Sequence, residues 1–288
     1  MSVDQKRNQS LFRKLSQLGR KLTSDPEPEH VHQFRTTTRR IETLFKELVP
    51  KPDRNERKLL KQLAKIRKRA GRVRDLDVQM AALRTLKIGR DGDEKRTLFS
   101  ALAGERGRYA KKLAALFDKD SLRELRKRLR RAAKNSQLCD NKLEPAAKAL
   151  RMFARLAREQ GEATEAVLHQ YRLRCKRIRY LAEMEGKQPL AQAVVQQLKT
   201  IQDAVGEWHD WDTLAARAEA LFSNVPSAPI ITALRAVRHT KLVEALHVTQ
   251  AAKTRLLEMQ QRGGGKKPAR FDTAQPRSES SLASAASA

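Results

Sequence analysis

The stretch HQFRTTTRRI at residues 32–41 returns as HQYRLRCKRI at residues 169–178, with His, Arg, a basic pair and Ile in register. A second block also repeats: LAKIRKRAGRVRDLD at 63–77 matches LKTIQDAVGEWHDWD at 198–212, keeping Leu, Ile, Gly and two Asp at one spacing. The blocks lie 137 and 135 residues apart. Two ordered blocks at nearly one offset point to a duplicated multi-helix unit. Each unit needs about four helices to bury the apolar stripes of a bundle, and a twofold duplication tends to set equivalent helices around a pseudo-twofold axis. The expected architecture is therefore all-α, two pseudo-twofold-related four-helix bundles, with halves at about 1–137 and 138–262.

Working outward from the repeats, Leu, Ala, Arg, Lys, Glu and Gln dominate from Ser2 to about Gln261, and strand-like alternation is almost absent. Gly, Pro, Asp and Ser clusters, such as those at 23–28, 49–53, 88–93, 118–121 and 224–229, divide this stretch into about nine helices. Asp25-Pro26 reads as the start of the second helix, and Thr164 precedes the helix carrying His169. After Arg262 a Gly/Lys stretch and a Ser/Ala run to Ala288 lack the apolar content to pack, so 263–288 is expected to be a disordered tail.

On a helix, Arg35, Thr36 and Arg39 fall within roughly 60° of His32, with Arg40 at the shoulder. Phe34, Ile41, Leu44, Phe45 and Leu48 take the opposite side and anchor the helix. In the second copy Arg172, Lys176 and the shoulder residue Arg177 accompany His169, with Arg179 at the other edge, while Tyr171, Ile178 and Leu181 are apolar. A single basic stripe is most often a solvated face. Specifying the same stripe twice argues for a ligand. Arginine suits phosphate because its planar fork donates two parallel hydrogen bonds, and lysine adds a mobile point charge.

Charge points the same way. Lys and Arg outnumber Asp and Glu by 61 to 33, giving a formal net charge of +28. Such a chain repels itself unless a polyanion neutralises it, and nucleic acid, an anionic membrane surface and a phosphate polymer all qualify on charge alone. The two cysteines, Cys139 and Cys175, stand in no metal-ligand spacing and read as thiols of a reducing compartment. The N-terminus has no apolar signal region and no run approaches the roughly 18 apolar residues of a membrane span, so the expected location is cytoplasmic.

Four blocks together carry a family resemblance: His32-xx-Arg35-xxx-Arg39-Arg40, Gly71-Arg-Val-Arg-Asp75-Leu-Asp77, Lys176-Arg177-Ile-Arg179-Tyr180, and Leu198-Lys-xx-Gln202-Asp-xx-Gly206. In that order the sequence resembles the CHAD family, the conserved-histidine α-helical domains, over roughly residues 5 to 255. The resemblance implies two four-helix bundles around a basic surface or pore that binds inorganic polyphosphate and can direct proteins to polyphosphate granules. Carried onto this chain, the implied polyphosphate-binding residues are His32, Arg35, Arg39, Arg40, His169, Arg172, Lys176, Arg177, Arg179 and Lys199. The halves differ where Arg74 stands opposite His209 and Arg67 opposite Gln202, so an asymmetric site is expected. Many relatives carry a triphosphatase-type barrel; no β-rich segment is present in this sequence, which reads as free-standing, non-catalytic and without cofactor.

Two rivals compete with polyphosphate binding. Nucleic acid would be a weaker polyanion partner here, because single-strand binders add aromatic stacking platforms and aromatics make up only 5% of this chain. Trp208 and Trp211 flank His209 and Asp210 but read as core residues. A metal-dependent phosphohydrolase would use the repeated pairs Asp75/Asp77 and Asp210/Asp212. Residues two apart on a helix point about 200° from each other, so the two carboxylates of a pair cannot readily share an ion, and pairing with neighbouring arginines is favoured. His32 and His169 have no further ligand at helical spacing, so no metal is expected.

Overall fold

The computed structural model describes residues 5–24, 26–49, 51–88, 93–135, 144–159, 164–225 and 228–264. Among them are nine α-helices and no strand: α1 (Gln5–Arg20), α2 (Pro28–Leu48), α3 (Arg54–Thr85), α4 (Asp93–Ala114), α5 (Lys119–Asn135), α6 (Pro145–Glu159), α7 (Glu165–Ala182), α8 (Pro189–Leu221) and α9 (Pro229–Gly264). Of the tail expected at 263–288, residues 263 and 264 belong to α9, and 265–288 lie outside the described residues, as do Asp25 and Cys139.

Helix ends follow local chemistry. Asp53 and Glu56 form a reciprocal capping box at the start of α3, with both hydrogen bonds at 2.7 Å. The second helix begins at Pro28, whose fixed φ and missing N–H suit a first turn. Thr164 does occupy the cap position of α7, but its side chain makes no capping bond. Past α7 a 3₁₀ turn (Glu183–Glu185) ends at Gly186, whose φ of 79° a side chain would strain.

Among the described residues five helices precede residue 136 and four follow it, the nine into which the breakers divide the sequence, so the first half carries one more than the four or so expected of each bundle. The difference comes from Asp118. Its side chain accepts hydrogen bonds from the backbone N–H of Ser121 at 2.8 Å and of Asp120 at 3.0 Å, which starts α5 afresh. The second half has no such stop and runs through as the 36-residue α9. Packing order is otherwise alike: α1 on α2, α2 on α3, α4 and α5 on α3, then α6 on α7, α7 on α8, and α9 on α8.

The apolar core is not divided between the halves. A large cluster combines Phe12, Phe34 and Phe45 with Phe153, Tyr171 and Trp208. A smaller one joins Leu76, Leu83, Leu98 and Leu102 to Trp211, Leu214, Ile230 and Leu234. Side chains predicted to anchor the basic helices, Phe34, Ile41, Leu44, Phe45, Leu48, Tyr171, Ile178 and Leu181, are all buried. At an order of 25 cal/mol per Å² of apolar surface, this shared burial fixes α2 against α7 and α3 against α8. No helix among the described residues is long and apolar enough to cross a membrane.

Candidate anion-binding site

Where α2, α3, α7 and α8 face one another they leave a cavity of about 520 Å³. His32, Arg35, Thr36, Arg39 and Arg40 line it from α2; Arg74, Asp75 and Val78 from α3; Arg172, Lys176, Arg179 and Tyr180 from α7; and Gln202, Asp203, Gly206, Glu207 and Asp210 from α8. Seven of the ten predicted residues are therefore brought together. His169, Arg177 and Lys199 are not.

Each exception has a cause. Arg177 follows Lys176 by about 100° of helix rotation. It points away from the cavity and bonds Glu47 of α2, a carboxylate that also takes Lys148 of α6 at 3.1 Å. The side chain thus ties the halves together. His169 is exposed, and its ring lies 5.1 Å from that of His209, which stands where the first half has Arg74. Lys199 is exposed on α8, about one turn before the cavity lining begins at Gln202. The site is asymmetric: the first half supplies His32 and Arg74, and the second supplies most of the carboxylates.

Arginine and glycine meet twice. The Arg35 guanidinium lies directly over Gly71, where any Cβ would collide with its Nη1, and it donates to the Arg67 carbonyl at 3.2 Å. Arg172 passes over Gly206 in the same way but less tightly, with Nε 3.8 Å from the place a Cβ would take. The glycines shared by the two sequence blocks are thus troughs in α3 and α8 for the arginines of α2 and α7.

Buried Glu183, in the turn after α7, holds Arg40 at 2.7 Å and Arg179 at 3.2 Å, and both guanidinium groups lie over the Tyr180 ring. One cation from each half is thereby fixed at one wall. Arg172 stands 3.7 Å from Asp210, and its Nε is buried without a partner. Among the described residues Arg39, Arg74 and Lys176 make no hydrogen bond and no ion pair.

Burial and crowding of like charges show in the protonation equilibria. Desolvation, then Arg172, Arg39 and Arg35, push the Lys176 ammonium down to about 7. Arg35 and Arg39 are shifted down, first by burial. Burial, then Arg172 and His169, bring His209 down to about 4, while burial raises Asp210 against the pull of Arg172.

The repeated aspartate pairs split across their helices, as an advance of about 200° requires. Asp75 and Asp210 face the cavity. Asp77 bonds Arg106 of α4 at 3.0 Å, and Asp212 bonds Arg238 of α9 at 3.0 Å. Among the described residues no group of three or more His, Cys, Asp or Glu is placed to hold a metal ion.

The family model described as the CHAD domain matches residues 8–219. The chain belongs to the CHAD family. Its fold agrees: the crystal structure of the CHAD domain from the plant Ricinus communis superposes with a TM-score of 0.62 at 19% identity, covering 85% of this chain and 88% of that one. No curated protein sequence matches the chain. Within the CHAD domain, sequence reasoning marked Arg74, one turn after Gly71, as a difference between the halves but did not count it among the binding residues. It also gave no role to Asp203 and Glu207, although they share one helical face with Gly206 and Asp210.

Proposed function

We propose that this CHAD protein binds inorganic polyphosphate non-covalently in the cavity between its halves, without cleaving it. The observation that carries the reading is the set of half-buried cations left without a hydrogen bond or ion pair, Arg39, Arg74 and Lys176, beside the partly satisfied Arg172. Desolvated cations crowded together are costly unless an anion joins them. A chain of phosphates supplies closely spaced charge with no base to accommodate. The one aromatic in the lining, Tyr180, is buried under two guanidinium groups, so the cavity offers no platform for stacking a base. Targeting to polyphosphate granules would follow from such binding.

The test is the salt dependence of affinity for polyphosphate. Each cation that neutralises a phosphate contributes about 0.7–0.9 to the slope of log K against log salt, by analogy with nucleic-acid backbones. Arg39→Gln is expected to lower that slope by about 1. An unchanged slope places the polymer elsewhere.

Glycine 71 gives a second prediction. Gly71→Ala displaces the Arg35 guanidinium, the mobile end of a flexible chain, and so leaves the fold intact. Replacing a helical glycine gains about 0.5–1 kcal/mol. The variant should therefore melt no lower than the parent yet bind polyphosphate several-fold more weakly, whereas Gly206→Ala, with ordinary contacts to Arg172, should bind normally. Equal affinities for the two variants would remove Arg35 from the site.

Lys176 makes binding depend on pH. With its pKa at about 7, the ammonium is charged at pH 6 and largely neutral at pH 8.5, so polyphosphate affinity should fall across that window. Stability of the free protein runs the other way. The unfolded lysine holds its proton up to about 10.5, so between about 7 and 10.5 the unfolded state binds more protons and this residue's contribution rises with pH. Titrations of the parent and of Lys176→Met check both signs; a variant that keeps the parent's pH profile excludes Lys176.

A further inference from the structure

We propose that the groove between α1 and α5 is a second phosphate site, separate from the central cavity, that takes a short condensed-phosphate segment. It rests on the reading that this chain takes phosphate polymers, and adds a place where they bind. The groove encloses about 370 Å³ and carries Arg13 and Arg20 on one side and Arg126, Arg130 and Lys134 on the other. No Asp or Glu lines it, whereas four carboxylates line the central cavity.

The cations are arranged for a ligand in three ways. Arg126, Arg130 and Lys134 stand at four-residue spacing on one face of α5, a like-charge row that costs the helix about 0.2–0.5 kcal/mol per pair. Elsewhere on the same helix Arg123 and Arg128 are neutralised by Asp120 at 2.8 Å and Glu124 at 2.7 Å. Among the described residues the five groove cations have no carboxylate partner, and Arg126 Nε is buried with no hydrogen bond at all. The lining of α1 from Gln9 to Arg20 extends about 16 Å at helical rise, so the ligand that fits is elongated. Phe12, its one aromatic, is buried and offers no face to a base. These features favour linked phosphates over a nucleotide, although both share the same triphosphate chemistry.

The experiment titrates the full chain with tripolyphosphate at low salt, with stoichiometry from native mass spectrometry. The parent is expected to take two equivalents. Arg126→Gln with Arg130→Gln should take one, Arg39→Glu with Arg172→Glu should take the other one, and the fourfold variant none. Because Arg126 is partly buried, Arg130→Gln with Lys134→Gln, both exposed, provides a variant of undisturbed helicity; its groove affinity should drop about fivefold or more. The proposal is overturned if both groove variants bind like the parent. Loss of binding in the groove variants with none in the cavity variant would support the groove and defeat the cavity reading instead. ATP run in parallel should compete no better than tripolyphosphate; a strong preference for ATP would assign the groove to nucleotides and overturn the condensed-phosphate assignment.

Discussion

Arg39→Glu combined with Arg172→Glu is expected to lower affinity for long-chain polyphosphate by about 100-fold or more, with the helical circular dichroism spectrum unchanged. Arg39 makes no hydrogen bond or ion pair among the described residues, and Arg172 has only a loose contact with Asp210. Neither holds the fold. Both are partly buried, so reversing their charges converts attraction into repulsion in surroundings that screen it less than bulk water does. Each truncated charge of a desolvated pair costs about 2–5 kcal/mol of binding, and even the low end applied once exceeds a tenfold change. The carboxylate that Arg172→Glu sets beside Asp210 will take some stability from the fold, and thermal melting will register that separately. Loss of helicity in step with loss of binding would make the stripe structural.

The second large effect concerns Glu183. Glu183→Gln keeps the shape of the side chain but removes the one negative charge that holds Arg40 of α2 and Arg179 of α7. Glu183 is 9% exposed and the two arginines 27% and 16%, so two cations are left poorly solvated and facing each other. Breaking a fully buried pair costs about 3–5 kcal/mol; partial exposure of Arg40 reduces this to about 2–3 kcal/mol. A chain of this size should lose roughly 5–10 °C in Tm. Polyphosphate should then raise the Tm of the variant more than that of the parent, because the ligand supplies the missing anion. A Tm within a degree of the parent's would show that solvent already screens this cluster.

How far the sequence could be read depends on whether a property is local or tertiary. The stripes of α2 and α7 were legible because apolar and basic residues separate at the helical period, and Phe34, Ile41 and Tyr171 are buried as that period requires. The splitting of Asp75 from Asp77 and of Asp210 from Asp212 was legible for the same reason. Arg177 was not. Its position one residue after Lys176 admits either the cavity or the outer side, and only the approach of Glu47, on another helix and 130 residues away, settles it. Likewise the contact of the His169 ring with that of His209 joins two helices, which the period of α7 alone does not show. The glycines of the two blocks were visible as a repeat, but their use as troughs for Arg35 and Arg172 depends on the crossing of α2 over α3 and of α7 over α8. The break at Asp118 was legible as a stop, and so was the lack of any breaker between 230 and 262 that lets α9 run on. The shared core also escaped a reading that gave each half its own bundle, because apolar periodicity marks which side chains are buried and says nothing about the partner.

The most direct test of the central claim is competition at near-physiological salt: labelled long-chain polyphosphate challenged with single-stranded DNA, duplex RNA and orthophosphate, with free phosphate followed in the same samples, with and without Mg²⁺. Polyphosphate that is retained against all three competitors and stays intact is the predicted result. Displacement by nucleic acid at equal phosphate concentration, or steady release of orthophosphate, would contradict it.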